Sequence, residues 1–441
     1  MRILNNCTLY TVNCIQPELA VIALLESSKD ILFKEIIIFS DVKPINITDK
    51  IKFIKIDTIK SLEEYSAFML LQLVNYINTD FCFCIHHDGW IINSNNWKDE
   101  FLHYDYIGAP WPVTAHFLPP GEKYRVGNGG VSIRSKKLLD TIKDMNLDPK
   151  IWCYEDTFIV HTIRDNLESK GISFAPINVA KYFSYELECE DLNITCNDVL
   201  AFHGKAHTPS HKEYTKNILS IYYRDVITKL SKDKVLDWLY NEAGSQDPNT
   251  FFGKFRGNFE LQQIPKEYIN LLEFFRNTTI KSYLELGVGN GSSFFVNSLF
   301  IGDKCKTFNA VDSIAYANTH IKQTEEKILK KVNMLSKLFP TSNVKFFNNT
   351  TDNFFKTNTN TYDCIFIDAD HEYEGVKQDY LNSLKILNKG GTIIFHDIGN
   401  EGTGVAKLWR EITHNTSKTL EFLWKPDGVS FYDCGIGIIS I

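Results

Sequence analysis

Apolar and polar positions in the first half of the chain form short apolar runs that alternate with longer segments of helical spacing. The runs KEIIIFSD (34–41) and DFCFCIHHDGW (80–90) predict buried strands that end in polar residues. SLEEYSAFMLLQLVNYIN (61–78) predicts an amphipathic helix, in which Ser61 and Glu64 form a capping box. Such alternation predicts an α/β fold with a mainly parallel sheet covered by helices.

The same alternation starts again in the second half, after a stretch rich in Gly, Asn, Asp and Pro. Residues 212–240 have helical spacing, and residues 241–258 (NEAGSQDPNTFFGKFRGN) are the best candidate for a linker. We therefore place a boundary near residue 245 and predict two α/β domains joined by a helical connector. The predicted segments are 1–210, 211–257 and 258–441.

Composition and charge narrow the class of protein. The 441 residues exceed one ordinary domain, and 44% hydrophobic with 23% charged residues is typical of globular chains. The formal net charge of −7 supplies no basic field for nucleic acid. The sequence shows no signal-peptide pattern and no apolar run of membrane-helix length, and its ten scattered cysteines form no CxxC pair. We expect a cytoplasmic protein without a membrane span or a nucleic-acid partner.

A glycine-rich loop follows the apolar run SYLEL in the second half. Its glycines are Gly287, Gly289 and Gly291. Ser292 stands where a dinucleotide-binding fingerprint has its third glycine. Glu285, at the end of the strand, would repel a pyrophosphate but suits a cationic ligand. Asp312 ends the next strand about twenty residues further on, where an acid can bind ribose hydroxyls.

Two later strands of this half also end in polar residues. Asp368 and His371 follow the run YDCIFI, and His396 with Asp397 follows GGTIIF. A structural reading is open for two of them: Asp397 as a helix N-cap, and His371 as a residue in the first turn of the next helix.

These motifs resemble the class I S-adenosylmethionine-dependent methyltransferases, over roughly residues 258–441. The likeness is greatest to the branch with IDADH-YEG and GG-HD motifs, which includes sugar and antibiotic O-methyltransferases. It implies a Rossmann-like fold and S-adenosylmethionine as cofactor. The cofactor contacts that it implies are Glu285, Gly287, Gly289, Gly291 and Asp312. It also implies a divalent-metal site at Asp368 and Asp397, although Ile398 replaces the Asp or Asn of the catechol-type pattern.

Methyl transfer to a hydroxyl group requires that the acceptor lose its proton. Two routes are open. A metal ion can lower the pKa of the hydroxyl group, or one of two histidines, His371 or His396, can act as the base.

The first half contains a second set of candidate residues. His86, His87 and Asp88 end the run FCFCI, and His203 ends VLAFH. The loop VGNGG (126–130) precedes a further strand. Glu155 and Asp156 start a predicted helix. Several tryptophans close to these acids are typical of a sugar-binding cleft, in which apolar ring faces stack on the sugar, but packing in the hydrophobic core is the more usual role of such residues. The tryptophans are Trp90, Trp97 and Trp111.

This order of motifs resembles the GT-A type of nucleotide-sugar glycosyltransferase, over roughly residues 8–208. The run DGW…W-DEFL-YDYIGAPW…VGNGG-S-RS is similar to a bacterial and viral family described only as a domain of unknown function. The resemblance implies a nucleotide-sugar donor and a glycan or glycoconjugate acceptor. It also implies Mg²⁺ or Mn²⁺ held by Asp88 and His203, although His86 replaces the first Asp of the usual DxD motif.

The chemistry of glycosyl transfer assigns further roles. The leaving diphosphate needs its charge neutralised, and positively charged side chains are alternatives to a metal ion. These candidates are Arg125, Arg134 and Lys205. An inverting enzyme needs a carboxylate that deprotonates the acceptor, for which Asp156 is the first candidate and Glu155 the second.

Together the two resemblances predict a bifunctional enzyme that transfers a sugar and O-methylates a sugar hydroxyl. Two alternatives remain open. The first is a methyltransferase with a catalytically inactive, glycan-binding N-terminal domain, and the second is a non-enzymatic protein that senses metabolites.

Overall fold

Two α/β units make up the computed structural model, one formed by Met1–Tyr222 and the other by Tyr223–Ile441. The structure describes residues 1–148, 154–204, 222–243, 261–314, 325–399, 402–414, 419–424 and 434–441. The nine cysteines in these ranges are free, and eight of them are buried. Within the same ranges, the helices lack the combination of length and apolar content that crossing a bilayer requires.

The first unit contains nine strands within its described residues. They are β1 (Arg2–Val12), β2 (Ile31–Ser40), β3 (Lys52–Lys55), β4 (Phe81–Cys84), β5 (Gly89–Ile91), β6 (Tyr106–Gly108), β7 (Ser132–Ser135), β8 (Ser184–Tyr185) and β9 (Ala201–His203). Its α-helices are α1 (Pro17–Ser27), α2 (Leu62–Ala67), α3 (Lys136–Asp144), α4 (Glu155–Thr157), α5 (Arg164–Ser169) and α6 (Ile177–Ala180).

The main sheet of this unit has the strand order β3-β2-β1-β4-β7-β6. Strands β3, β2, β1 and β4 are parallel, as predicted, whereas β7 and β6 run antiparallel to their neighbours. A second, three-stranded sheet has the order β5-β9-β8. In this small sheet Gly89 pairs with His203, so the chain that leaves β4 returns beside the end of β9.

Helix α2 shows how local sequence sets an element boundary. Ser61 caps it, with its side chain accepting a hydrogen bond from the Glu64 backbone N–H at 3.2 Å. The Glu64 carboxylate accepts from the N–H of Lys60 rather than from Ser61, so the capping box is shifted by one residue. The predicted single helix over 61–78 is interrupted, because it continues as a π-helical turn at Phe68–Gln72 and a 3₁₀ turn.

The second unit contains one mixed sheet in its described residues. Its strands are β10 (Ser282–Leu286), β11 (Thr307–Asp312), β12 (Asn343–Asn348), β13 (Tyr362–Ile367), β14 (Leu387–His396), β15 (Thr419–Phe422) and β16 (Ile436–Ser440). Its α-helices are α7 (Lys232–Ala243), α8 (Pro265–Asn277), α9 (Ser292–Ile301), α10 (Glu325–Leu338), α11 (Thr351–Thr357), α12 (Tyr373–Ile386) and α13 (Gly404–Thr413).

The strand order of this sheet is β12-β11-β10-β13-β14-β16-β15, with β16 antiparallel to both of its neighbours. From β10 the chain adds β11 and β12 on one side of the sheet and then β13 and β14 on the other side, so β10 is the switch point of the sheet. Open α/β sheets bind ligands outside the carboxyl ends of the strands at such a switch point. The loops after β10, β11, β13 and β14 are therefore the candidates for a binding site.

The predicted connector 211–257 is described only over residues 222–243. All of these except Tyr222 belong to the second unit, and helix α7 packs against α8. The two units divide between Tyr222 and Tyr223, inside the predicted connector, whereas the predicted boundary near residue 245 follows the last residue of α7.

Backbone segments after β10 and β13 approach each other closely. Gly287 has a φ angle of +83°, and a Cβ atom added to it would lie 2.1 Å from the backbone oxygen of Asp368. Only glycine meets both requirements without strain. Gly302, which ends α9, has nearly the same φ of +82°, but a Cβ atom added there would have no neighbour within 4 Å.

We predict that Gly287→Ala destabilises the second unit more than Gly302→Ala does. Both variants place alanine at a positive φ, in sparsely populated backbone conformations that cost about 1–3 kcal/mol each. Only Gly287→Ala adds a steric overlap with backbone, which costs about 1–3 kcal/mol more. Thermal unfolding of the two variants measures the difference, at about 2–4 °C per kcal/mol for a unit of this size. Equal losses of melting temperature would contradict the close packing of these two loops.

Candidate functional sites

The glycine-rich loop of the second unit connects β10 to α9. Its glycines all have positive φ angles, +83° at Gly287, +54° at Gly289 and +81° at Gly291. The Gly289 N–H donates a hydrogen bond of 2.8 Å to the Asp312 carboxylate at the end of β11. Burial raises the pKa of Asp312, against the lowering effect of that N–H. The structure thus brings together four residues that the sequence predicted to bind the cofactor.

Glu285, the fifth predicted cofactor contact, is fully buried at the end of β10. Its carboxylate accepts hydrogen bonds from the Tyr283 hydroxyl at 2.6 Å, the Ser293 hydroxyl at 2.5 Å and the Asn297 amide at 3.0 Å. Burial raises its pKa to about 7. Both oxygens therefore have partners inside the unit, and a contact between Glu285 and a cofactor stays a prediction.

Two aspartates and two histidines alternate around one point beyond β13 and β14. His396 Nδ1 lies 3.0 Å from Asp397 Oδ1 and 3.4 Å from Asp368 Oδ1. His371 Nε2 lies 3.3 Å from Asp397 Oδ2 and 3.7 Å from Asp368 Oδ1. Burial by itself raises the pKa of Asp368, but the two imidazoles outweigh it and lower that pKa to about 2. We call these four residues the Asp–His cluster.

The two histidines of the Asp–His cluster differ in exposure. The His396 side chain is 9% exposed, whereas that of His371 is 54% exposed. A substrate can therefore reach His371 but not His396. Asp397 has a φ of +62°. This backbone conformation is uncommon for residues other than glycine, and such conformations are concentrated at functional sites.

The structural readings of Asp397 and His371 are wrong. The N-cap of α13 is Thr403, whose hydroxyl accepts from the Ala406 N–H at 3.3 Å. Helix α12 begins at Tyr373, so His371 lies before its first turn. Neither side chain caps a helix or lies in its first turn, so the functional hypotheses for both residues stay predictions.

The donors of the Asp–His cluster fit a divalent cation. One ligand atom each from Asp368, His371 and Asp397 lies within 4.8 Å of the other two. Ile398, which replaces the third ligand of the catechol-type pattern, packs into the hydrophobic core. His371 thus supplies a third donor that the comparison with that pattern did not identify.

In the first unit, the chain after β4 places two donors beside the end of β9. His203 Nε2 lies 3.6 Å from Asp88 Oδ1 and 3.3 Å from His86 Nδ1. These three ligand atoms lie within 4.8 Å of one another. Burial raises the pKa of the Asp88 carboxyl, but His203 beside it turns the shift downward. The predicted pair Asp88 and His203 is thus close together, and His86 joins them.

The outer nitrogens of both histidines have polar partners that sequence reasoning missed. His203 Nδ1 lies 3.2 Å from Glu186 Oε1, and His86 Nε2 lies 2.8 Å from the Tyr65 hydroxyl. Glu186 also accepts hydrogen bonds from Asn128 Nδ2 at 2.7 Å and from Trp111 Nε1 at 3.0 Å. In the sequence, the one signal for these partners was the position of Asn128 inside the glycine-rich loop.

The loop VGNGG packs directly on the other site residues. A Cβ atom on Gly130 would lie 2.2 Å from His203 Nε2, and one on Gly129 would lie 2.4 Å from Glu155 Oε1. The Gly129 N–H donates a hydrogen bond of 2.9 Å to Asp156. The loop therefore links the histidine end of the site to the acidic pair at α4.

Glu155 and Asp156 have different environments. Glu155 is buried and accepts a hydrogen bond from the Arg134 guanidinium at 2.9 Å. Asp156 is only partly buried. Burial, together with the neighbouring Glu155 charge, raises the pKa of Asp156 to about 7. A carboxyl group with such a pKa suits a general base, and the choice of Asp156 ahead of Glu155 stays a prediction.

The arginines proposed for the diphosphate are engaged elsewhere. Arg134 is fully buried, and Arg125 is 7% exposed with both terminal nitrogens on Asp191, at 2.7 and 3.0 Å. Neither guanidinium is available to a phosphate in this structure, so these two predictions are corrected. Lys205 lies outside the described residues.

The tryptophans do not form a sugar platform. Each is at most 5% exposed, and they are Trp90, Trp97 and Trp111. Trp111 lies under the glycine-rich loop, because a Cβ atom on Gly127 would be 2.4 Å from its ring. Their role is packing, since the faces of the rings are covered by the unit itself.

A curated protein is similar to part of this chain. Among curated proteins, an uncharacterized protein of Acanthamoeba polyphaga mimivirus is 30% identical over 138 residues, which is 30% of this chain. This chain covers 58% of the length of that relative.

Several solved methyltransferase structures are similar to the chain. The O-methyltransferase TomG of Streptomyces achromogenes, in complex with SAM, matches with a TM-score of 0.32 and 12% identity, over 52% of this chain and 98% of that one. The SAH-bound methyltransferase PaMTH1 of Podospora anserina matches with a TM-score of 0.32 and 15% identity, over 54% and 99%. TM-scores this low do not by themselves establish a shared fold.

Two protein families match separate parts of the chain. Residues 48–202 match a family described as protein of unknown function (DUF5672). Residues 284–398 match a family described as a methyltransferase domain, and this range includes all the candidate residues from Glu285 to Asp397. The second unit therefore carries a methyltransferase domain, and the first carries a domain whose family description names no activity.

Proposed function

We propose that the protein is a two-unit transferase. The second unit transfers a methyl group from S-adenosylmethionine to a hydroxyl oxygen, and the first transfers a sugar from a nucleotide-sugar donor. One observation carries the first part: the methyltransferase match spans the loop in which three left-handed glycines lie beside Asp312. The natural acceptor of the methyl group is then a sugar hydroxyl of the glycan that the first unit builds.

The residues at the switch point of the sheet fit S-adenosylmethionine. Gly287, Gly289 and Gly291 expose backbone to a ligand, and Asp312 at the end of β11 offers a partly exposed carboxylate for ribose hydroxyls. When bound, the cofactor supplies an electrophilic methyl group on a sulfonium. The protein contributes by orienting that group toward the acceptor oxygen.

The acceptor hydroxyl lies, in this proposal, against the Asp–His cluster. His371 is its accessible member and accepts the proton from the hydroxyl group. The buried His396 is paired with Asp368 and Asp397 and holds both carboxylates in place. A divalent cation on Asp368, His371 and Asp397 would instead lower the pKa of the hydroxyl group.

Glycosyl transfer by the first unit is supported by a different observation. Asp88 and His203 lie 3.6 Å apart at the meeting of the two sheets, and the glycine-rich loop connects them to Asp156. A metal ion on the first two residues would neutralise the leaving diphosphate, and Asp156 would deprotonate the acceptor hydroxyl.

We predict that Asp312→Ala weakens binding of S-adenosylhomocysteine about 10- to 100-fold. A hydrogen bond to a charged group contributes roughly 1.5–3 kcal/mol. Isothermal titration calorimetry of the full chain measures the change, with the exposed Asp303→Ala of the same unit as the matched control. Unchanged affinity in Asp312→Ala would contradict the proposed cofactor site.

We predict that His371→Ala slows methyl transfer about 10²- to 10⁴-fold, as expected for loss of a general base, while affinity for S-adenosylhomocysteine stays the same. Transfer of a labelled methyl group to a panel of glycosides and other hydroxyl compounds provides the assay. His414→Ala, at an exposed position, is the control. Activity should persist in EDTA, whereas a loss that Mg²⁺ restores would assign the cluster to a metal.

The same panel tests the acceptor class. The proposed link to glycans fails if no saccharide is methylated while another hydroxyl compound is accepted readily. That outcome would leave the methyltransferase assignment intact.

We predict that Asp156→Asn lowers hydrolysis of a nucleotide sugar about 10²- to 10⁴-fold without weakening binding of the nucleotide. UDP-, GDP-, CMP- and dTDP-sugars are tested with Mn²⁺, and Asp144→Asn, on the exposed face of α3, is the control. If the wild-type chain hydrolyses none of these donors yet binds a glycan, the first unit is a binding domain only.

A further inference from the structure

We propose that His86, Asp88 and His203 form a binding site for a first-row transition metal, of the class of Mn²⁺, Co²⁺ or Zn²⁺, and that this site disfavours Mg²⁺. We further propose that Glu186 and Tyr65 position the two imidazoles. The inference deepens the metal site of the proposed glycosyltransferase, and it adds a ligand and a metal class that the DxD comparison does not supply.

The spacing of the donor atoms fits one cation. Metal–nitrogen and metal–oxygen bonds of about 2.0–2.2 Å at angles between roughly 90° and 109° separate ligand atoms by roughly 3.0–3.5 Å. His203 Nε2 lies 3.3 Å from His86 Nδ1 and 3.6 Å from Asp88 Oδ1. Small side-chain rotations would complete the geometry, because all three donors are already within 4.8 Å.

The environment of His203 selects the ring nitrogen that faces the other donors. Glu186 can only accept at 3.2 Å from Nδ1, so a hydrogen bond between them places the proton on Nδ1. Asn128 Nδ2 lies 3.1 Å from the same nitrogen and favours the opposite tautomer, but it donates to Glu186 over the shorter distance of 2.7 Å. We therefore assign the proton to Nδ1. Neutral His203 then presents the lone pair of Nε2 toward His86 and Asp88. A carboxylate behind a histidine is the usual outer partner of a metal-binding imidazole.

Glu186 is itself held firmly. Asn128 Nδ2 donates to it at 2.7 Å and Trp111 Nε1 donates at 3.0 Å. The Asn128 oxygen accepts from the Val131 N–H at 3.2 Å, which fixes the orientation of the amide. The VGNGG loop thus acts on the metal site through the carboxylate that orients His203.

His86 has a corresponding outer partner on another element. Its Nε2 lies 2.8 Å from the hydroxyl of Tyr65 on α2. A hydroxyl group can accept a hydrogen bond from Nε2–H, which leaves the lone pair on Nδ1 free for a cation. Each histidine therefore presents one nitrogen to the common point and the other to a polar group that can set its tautomer.

The donor types decide the metal class. Mg²⁺ prefers oxygen ligands in near-octahedral geometry, and Ca²⁺ also takes oxygen. Imidazole suits first-row transition metals, and two histidines with one carboxylate form the set found at open sites of such ions. The replacement of the first Asp of the DxD motif by His86 therefore changes which metal is bound.

A hydrogen bond between the two imidazoles is the competing explanation for the 3.3 Å separation. It predicts no metal affinity and no effect of metal on these residues. The two explanations are separated by measuring metal binding directly, without nucleotide sugar, so that failure of glycosyl transfer and failure of this inference are distinguishable.

The experiment titrates the full chain with Co²⁺, whose visible absorption reports nitrogen ligation, and then adds Mn²⁺ or Mg²⁺ as competitors. Because Co²⁺ binds such donors more tightly than Mn²⁺, we expect Mn²⁺ to displace it only in excess, and Mg²⁺ to fail at a roughly tenfold higher concentration than Mn²⁺. His86→Ala should abolish the first-unit absorption, and His371→Ala should leave it unchanged, which separates this site from the Asp–His cluster. His116→Ala, at an exposed position, is the control.

Two further variants test the ligand and the positioning residue. His86→Asp restores a DxD motif and is expected to raise the affinity for Mg²⁺ relative to Co²⁺ at least about tenfold. Glu186→Gln should weaken Co²⁺ binding about 10- to 100-fold with an unchanged melting temperature in the absence of metal. The inference is overturned if Mg²⁺ competes as well as Mn²⁺, or if His86→Ala keeps the absorption of the wild type.

Discussion

Close approach of backbone to the residues at strand ends is the constraint on which both sites depend. In the second unit, Gly287 allows the loop after β10 to lie against the backbone oxygen of Asp368. In the first, Gly130 allows the loop before β7 to lie against the His203 ring. The tetrapeptide VGNG occurs in both places, but only the second copy needs left-handed backbone at its glycines. The same tetrapeptide therefore occurs in two loops that have different backbone conformations.

Charge compensation is the second property that the two units share. Arg134 and Glu155 form a fully buried pair in the first unit, and removing one partner of such a pair leaves an uncompensated charge, which is strongly destabilising. In the Asp–His cluster, two carboxylates alternate with two imidazoles. Each unit thus holds ionisable groups close together by matching positive with negative charges. Asp156, next to the pair in the first unit, is half-buried, and His371 is the exposed member of the Asp–His cluster.

Sequence patterns predicted the strands that lead into the two candidate sites and most of the candidate residues at the ends of those strands. They could not predict the partners, because these come from distant elements: Tyr65 from α2 and Glu186 from the segment after β8. They also assigned the wrong surroundings to Arg125 and Arg134, which reach Asp191 and Glu155 rather than a ligand. A long side chain has no local signal for its partner, since the partner depends on the packing of the whole unit.

By itself, the sequence determined the α/β class, the two successive α/β regions, and the glycine and acid positions of the methyltransferase domain. These properties follow from local periodicity and from backbone angles that glycine adopts most readily. Only the tertiary structure decided that β7 and β6 reverse direction, that Gly89 pairs with His203, and that His86 faces the same point as Asp88. The reason is physical: strand order and register join residues that are far apart in the chain, and no local interaction specifies them.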